Sequence, residues 1–365
     1  MHLSSISARA LSAAALALVV SCAKEPVAPD AAALVSANPA IALARAPLAA
    51  TSTAAKLASF ESFTPGAING QFDWQSMGGV GNAPPPGTCA VYDHEISNAS
   101  ALIAGIDATE FLGARSLRLS NAVTSGCYGD QTFSYRTANV AGESSARWGT
   151  AEFALPGARL DNHFEAEWTV MSVVPFAQQP GLEVVASPAR GDDQRMGWLQ
   201  VADLADGLAI SVARWVDAGS LSGATIAPTI IASGLDRRAP HVIKLTMDFV
   251  DGPDNDVVRV WVDGTLRNAG PSWERYYALK GIAPPAVNRL MFRTGSDALR
   301  GLPGTAAPAT RGLGLAFDNL RQSTFAVPSS TDACRNDGWR VARARDGRVF
   351  ENQGDCIQWV LHASR

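Results

Sequence analysis

Residues 241–264, HVIKLTMDFVDGPDNDVVRVWVDG, constrain the fold more than any other stretch of the chain. Val242, Lys244, Thr246 and Asp248 alternate with Ile243, Leu245, Met247 and Phe249. Val258, Val260 and Val262 then alternate with Val257, Arg259, Trp261 and Asp263. A period of two gives each segment one face for a core and one for solvent, which predicts two β-strands. Between them Asp251, Gly252, Pro253, Asp254, Asn255 and Asp256 form a dense run of turn formers.

Much of the chain repeats this material. Ala114–Asn121, Cys127–Ser134, His163–Val174, Gly181–Ser187, Met196–Val201, Leu208–Val216, Thr229–Ala232, Asn288–Thr294 and Leu313–Leu320 read as strands. Leu57–Trp74 supplies the apolar anchors Phe60, Phe63, Ile68, Phe72 and Trp74 between turn residues. About a dozen short strands with almost no competing helical period argue for two packed antiparallel sheets. The chain has 365 residues, a formal net charge of −4 and only 18% charged residues. That balance speaks against a nucleic-acid partner, which would call for a clustered basic surface.

The N-terminus reads as an export signal. A weakly basic start (His2, Arg9) precedes an apolar run from Ala10 to Val20, too short to span a bilayer. It ends in Val19-Val20-Ser21-Cys22, which resembles the bacterial lipobox. The resemblance implies that residues 1–21 are removed and that Cys22 becomes the lipidated terminus, a stable membrane anchor because several acyl chains share it. Ala23 after the cysteine favours the outer membrane in a host with two. Residues 22–56 are rich in Ala, Pro and Ser without period, and read as a disordered tether.

Four cysteines remain, Cys89, Cys127, Cys334 and Cys356, an even set for an oxidising compartment. Pairing neighbours gives Cys89 with Cys127 and Cys334 with Cys356. Four cysteines allow three pairings, so proximity is the only guide. A zinc site is the rival, with neither a C-x-x-C nor a nearby His cluster to support it.

The order FESFTPGAINGQ, then Tyr92-Asp93, then GARSLRLSNAVTSG, then GDQTFS, resembles a group of bacterial exported proteins. Their domain is similar to the concanavalin A-like lectin/glucanase jelly roll, and the resemblance runs from Phe60 to Phe325. Val262-Asp263-Gly264 is similar to the strand and turn of laminin-G and pentraxin-like members, and Phe317-Asp318-Asn319 to the closing strand of such jelly rolls. The expected fold is therefore an all-β, two-sheet antiparallel jelly-roll sandwich over residues 57–326. After it, residues 327–331 read as a linker. Residues 334–360 resemble a short C-terminal module of exported bacterial proteins through Cys334, Asn336, Gly338, Trp339, Phe350, Asn352, Gln353, Gly354, Cys356, Ile357, Trp359 and Val360. Arg335 stands in the lysine slot and Asp337 replaces the first glycine. Such a module is too small for a core of its own, so one disulfide and two tryptophans must hold it. Its arginines, Arg335, Arg340, Arg343, Arg345 and Arg348, read as a solvated face.

The jelly-roll superfamily includes glycosidases and polysaccharide lyases, so carboxylate pairs matter. Retaining glycosidases need two carboxyls about 5 Å apart. Glu165-Ala-Glu167 places two on one strand face but lacks the central Asp and third carboxylate of the laminarinase-like branch. Asp251, Asp254 and Asp256 in the hairpin turn are a candidate Ca²⁺ site, since hard cations take converging oxygens. Trp273, Tyr276 and Tyr277 in PSWERYYAL are candidates for stacking on pyranose rings, with Trp198 and Trp215 behind them. The resulting expectation is a cell-envelope lipoprotein with a non-catalytic sandwich that binds a polysaccharide or other glycan. A glycan-active enzyme with an unrecognised or degenerate site, or a purely structural envelope protein, are the alternatives.

Overall fold

The computed structural model describes residues 56–78, 93–98, 106–121, 130–137, 161–190, 194–216, 225–250, 252, 254–281, 284–285, 287–294 and 313–363. All of them belong to one compact unit, Ser52–Arg365. Cys22, Cys89, Cys127, Asp251 and the expected signal and tether segments before residue 56 lie outside the described residues.

The strands are β1 (Lys56–Ala58), β2 (Gly66–Ala67), β3 (Gln75–Gly78), β4 (His94–Asn98), β5 (Arg115–Leu119), β6 (Asp130–Phe133), β7 (His163–Ser172) and β8 (Glu183–Ala189). They continue with β9 (Trp198–Leu204), β10 (Gly207–Val216), β11 (Thr225–Leu235), β12 (His241–Asp248), β13 (Val257–Val262), β14 (Thr265–Pro271), β15 (Arg289–Thr294) and β16 (Leu315–Phe325). The helices are α1 (Thr109–Leu112), α2 (Glu274–Leu279), α3 (Gly338–Val341) and α4 (Gln353–Ala363). Among the described residues, one sheet runs β14-β13-β12-β7-β16-β5-β4-β2, with β1 also on β16, and the other runs β11-β10-β9-β8-β15-β6-β3. Every strand pair is antiparallel. This is the expected two-sheet jelly-roll sandwich.

The hairpin pairs as its pattern requires. Ile243, Leu245 and Met247 face Val262, Val260 and Val258, all buried. Strand β7 joins β12 to β16 and turns Phe164, Ala166, Trp168 and Val170 inward. Between the sheets Trp74 stacks on Phe292 at 6.3 Å and 9°, and Phe292 meets Trp168 edge-on at 89°. Two polar crosslinks pass through this core. The His94 ring nitrogens lie 2.6 Å from Thr132 Oγ1 and 3.1 Å from Thr294 Oγ1, and burial first, with the Arg118 charge second, pushes the imidazole down to about 3. Gln322 accepts from Ser134 Oγ at 3.0 Å and donates to the Tyr135 carbonyl. Buried polar groups matched in this way fix how the sheets face each other.

The C-terminal module closes as expected on Cys334–Cys356. It packs Ala342, Ala344 and Phe350 with half-buried Trp339, Ile357, Trp359 and Val360. The stretch after Phe325 is held at Ala326 and Val327, at the start of the expected linker. The Asn162 side chain accepts from Val327 N at 2.6 Å and donates to its carbonyl at 2.9 Å, and Arg343 N donates to Ala326 O. Arg345 reaches Asp248 Oδ2 at 2.9 Å. The same carboxylate receives Arg259 at 2.5 Å, and its other oxygen lies 2.7 Å from His163 Nδ1. Helix α4 was not foreseen, although Cys356, Trp359 and Val360 share its inner side at the i, i+3, i+4 spacing of a helix. No described helix is long and apolar enough to cross a membrane.

Candidate functional site

The hairpin turn is organised by buried carboxylates. Asp256 is 5% exposed; its Oδ1 accepts from Val250 N at 2.9 Å and its Oδ2 from Ser272 Oγ at 2.9 Å. Ser272 Oγ in turn accepts from Glu274 N, and Glu274 Oε2 accepts from Asn255 N at 3.0 Å. Burial, helped by the charges of Glu274 and Asp248, pushes the Asp256 carboxyl up to about 6. Asp254, left-handed at φ 59°, is exposed and faces Arg275 at 3.8 Å. Asp254 and Asp256, expected to share a cation, thus turn to different partners. Among the described residues no three His, Cys, Asp or Glu side chains gather to hold a metal ion.

This turn positions α2, and α2 carries the predicted aromatics. Within the PSWERYYAL segment, Glu274–Leu279 winds into a helix. Trp273 and Tyr277, four residues apart, therefore fall on one side and pack inward, at 5% and 4% exposure. Trp273 N donates to Met196 O, its indole Nε1 donates to Ala213 O at 3.1 Å, and Tyr277 Oη donates to Arg195 O at 2.9 Å. The residual cavity beside Trp273, lined by Leu199, Val212, Leu245 and Val260, is ≈ 10 Å³, room for one water at most. Trp273 and Tyr277 are therefore core, and neither offers a face to a sugar.

The structure brings the remaining candidates together around them. Trp198 at the start of β9 lies 6.1 Å from Trp273, and Trp215 near the end of β10 lies 6.3 Å from it. Tyr276 lies 4.5 Å from Trp215 and 6.4 Å from Trp273. Trp198, Trp215 and Tyr276 are half-buried. The indole N–H groups of Trp198 and Trp215 are buried without an acceptor. Sequence reasoning missed the cations that rim this cluster. Lys280 Nζ sits 4.2 Å over the Tyr276 ring, and Arg293 Cζ 5.9 Å over Trp198. The first was legible, since residues 276 and 280 are helix neighbours once α2 is granted. The second was not, because it spans two strands far apart in the chain.

Glu165 and Glu167 do share the outer face of β7 and are half-buried. Glu165 accepts from Ser323 Oγ at 2.9 Å and lies 3.7 Å from Lys244 Nζ, while Glu167 stands opposite Lys244 and Arg321. Cross-strand pairing accounts for both.

No family model matches the chain, and no curated protein matches it. Solved structures similar to it include three jelly-roll enzymes. The endo-1,3-β-glucanase from Streptomyces sioyaensis aligns over 76% of this chain and 99% of its own, with 12% identity and a TM-score of 0.40. The endo-β-1,4-glucuronan lyase from the fungus Trichoderma reesei aligns over 68% and 94%, with 12% identity and a TM-score of 0.33. The β-agarase A from Zobellia galactanivorans aligns over 72% and 83%, with 10% identity and a TM-score of 0.33. Likeness at this level assigns the chain neither substrate nor reaction.

Proposed function

We propose that this chain is an exported protein, held to the cell envelope by lipid on Cys22, whose sandwich binds carbohydrate without turning it over. The observation that carries the binding reading is the contiguous set of half-buried rings, Trp198, Trp215 and Tyr276, backed by buried Trp273 and Tyr277. Rings locked by their neighbours present a sugar face with apolar area at little entropic cost. The reading assigns no catalytic step. Glu165 is engaged by Ser323 and Lys244, and the carboxyls that burial pushes up, Asp256 to about 6 and Asp318 to about 8, are 5% and 2% exposed.

Affinity electrophoresis through gels containing soluble polysaccharides tests this. The wild type is expected to be retarded by at least one of them, and Trp215→Ala and Tyr276→Ala to run free while still folded, with only small losses of melting temperature. A wild type that runs free in all of them overturns the binding reading. Anchoring rests on the lipobox-like Val19–Cys22 and the apolar run before it. Labelled palmitate should enter the wild type and be absent from Cys22→Ser.

A further inference from the structure

We propose that the buried carboxyls of Asp256 and Glu274 form a pH-sensitive latch on α2: the proton they hold between them keeps the helix docked, and its loss loosens it. The latch does not depend on what the neighbouring rings bind. Asp256 is 5% exposed and Glu274 8%. Both lie where the hairpin turn meets α2, and Glu274 Oε2 comes within 3.4 Å of the Asp256 amide nitrogen. Among the described residues their hydrogen-bond partners are all neutral. Asp256 accepts from Val250 N and Ser272 Oγ, and Glu274 accepts from the amides of Asn255 and Asp256. The charged groups around them are engaged with one another. Asp248 is held by Arg259, Arg345 and His163, and exposed Asp254 faces Arg275. Asp251, the remaining acid of the turn, lies outside the described residues.

Two carboxyls buried side by side with only neutral partners cannot both ionise cheaply, so one keeps a proton. The hydrogen bonds say which. Two backbone amides point at one oxygen of Glu274, which is the setting of a carboxylate. Asp256 instead meets a hydroxyl, and a hydroxyl can reverse. Ser272 donates to an ionised Asp256, or accepts from a protonated one, with no heavy atom displaced. Burial, helped by the charges of Glu274 and Asp248 against the bonds from Val250 and Ser272, pushes Asp256 up to about 6. The same atoms hold α2. Its six residues are too few to stand as an isolated helix. Ser272 Oγ, the atom that Asp256 touches, also accepts from Glu274 N in the first turn of the helix. The rest of the docking is Trp273 N on Met196 O and Tyr277 Oη on Arg195 O. The docked state thus binds a proton that an opened one releases near pH 4, so docking should weaken as pH rises from about 4 to 6 and level off above.

Amide exchange of the full chain, corrected for the intrinsic rate at each pH, tests the latch at Tyr277 and Lys280, whose amides bond to Trp273 O and Tyr276 O. Protection at both is expected to fall roughly tenfold or more between about pH 4.5 and 7.5. Asp256→Asn stands in for the protonated acid, since its amide can donate to Ser272 while its carbonyl accepts from Val250. Protection in that variant should stay high and flat across the range. Asp318→Asn, which removes the other raised carboxyl, should keep the wild-type fall. Flat protection in the wild type would overturn the latch, and a fall that persists in Asp256→Asn would overturn its assignment to this pair. Carboxyl-carbon resonances of ¹³C-aspartate-labelled wild type give a reading that needs no substitution. Asp256 should titrate near pH 6 in step with the loss of protection. A midpoint near the ordinary value of about 4 would contradict the proposal.

Discussion

Trp273 and Trp215 sit 6.3 Å apart in one aromatic cluster, yet their loss should have opposite consequences. Trp273 fills the gap between the sheets and donates to Ala213 O, so Trp273→Ala should cost about 3–5 kcal/mol in urea unfolding. Any loss of ligand binding in that variant would follow from collapse of its neighbours. Trp215 is half-buried, so its alanine variant should lose binding with a much smaller loss of stability. Asp318 gives the other residue-scale prediction. Burial first, then the charge of Glu61, pushes its carboxyl up to about 8, against the pull of its bond from Asn319 N. The folded state then holds a proton that an unfolded chain releases near pH 4. Stability should fall as pH rises from about 4 to 8 and level off above, because the folded state binds more protons across that window. Asp318→Asn should leave the melting temperature at pH 5 nearly unchanged and raise it at pH 9. An unchanged melting temperature at pH 9 would contradict the assignment.

Elements show where sequence pattern reads true and where it stops. The hairpin β12–β13 was legible because unbroken alternation and paired register coincide. Strand β16 was read only to Leu320, although it runs to Phe325. Asn319 adopts φ 51° and the register shifts between Asp318 and Arg321, so the inward phase moves from Phe317 to Leu320 and then to the polar Gln322. Alternation cannot be followed through such a bulge. Strand β11 was read as Thr229–Ala232 because Pro228 interrupts it, yet it spans Thr225–Leu235. It is the outermost strand of its sheet, where a missing N–H is tolerated. Helix α2 went unread because six residues are too few to show a period. The hold of the C-terminal module on the sandwich is also an element-scale matter. Arg345 is half exposed, so Arg345→Ala should cost only about 1 kcal/mol and speed amide exchange in α3 and α4. Asp248→Ala leaves Arg259, Arg345 and His163 without their carboxylate and should cost about 3–5 kcal/mol. Equal effects of the two substitutions would contradict Asp248 as the shared anchor.

At the scale of the whole molecule, the sandwich and the second disulfide were legible, and the binding cluster was legible only as ingredients. Trp198, Trp215 and Trp273–Tyr277 were each visible in the chain, but which rings face solvent depends on α2 docking beside Met196 and Arg195. That docking depends on Asp256, Ser272 and Glu274, residues whose turn-like setting gave no hint of a structural role. Four of the module's arginines, read as a solvated face, are exposed as expected, and each also meets a carboxylate: Arg335 with Asp332, Arg340 with Asp337, Arg348 with Asp355 and Arg345 with Asp248. The most direct test of the central claim, that the aromatic cluster is the sugar-binding surface, is a titration of ¹⁵N-indole-labelled protein with soluble oligosaccharides, watching the tryptophan Nε1–H resonances. The account predicts that Trp198 and Trp215 shift with ligand while Trp74 and Trp168, buried between the sheets, stay fixed. Indole resonances that do not move with any saccharide, or that move only at tryptophans elsewhere, would contradict it.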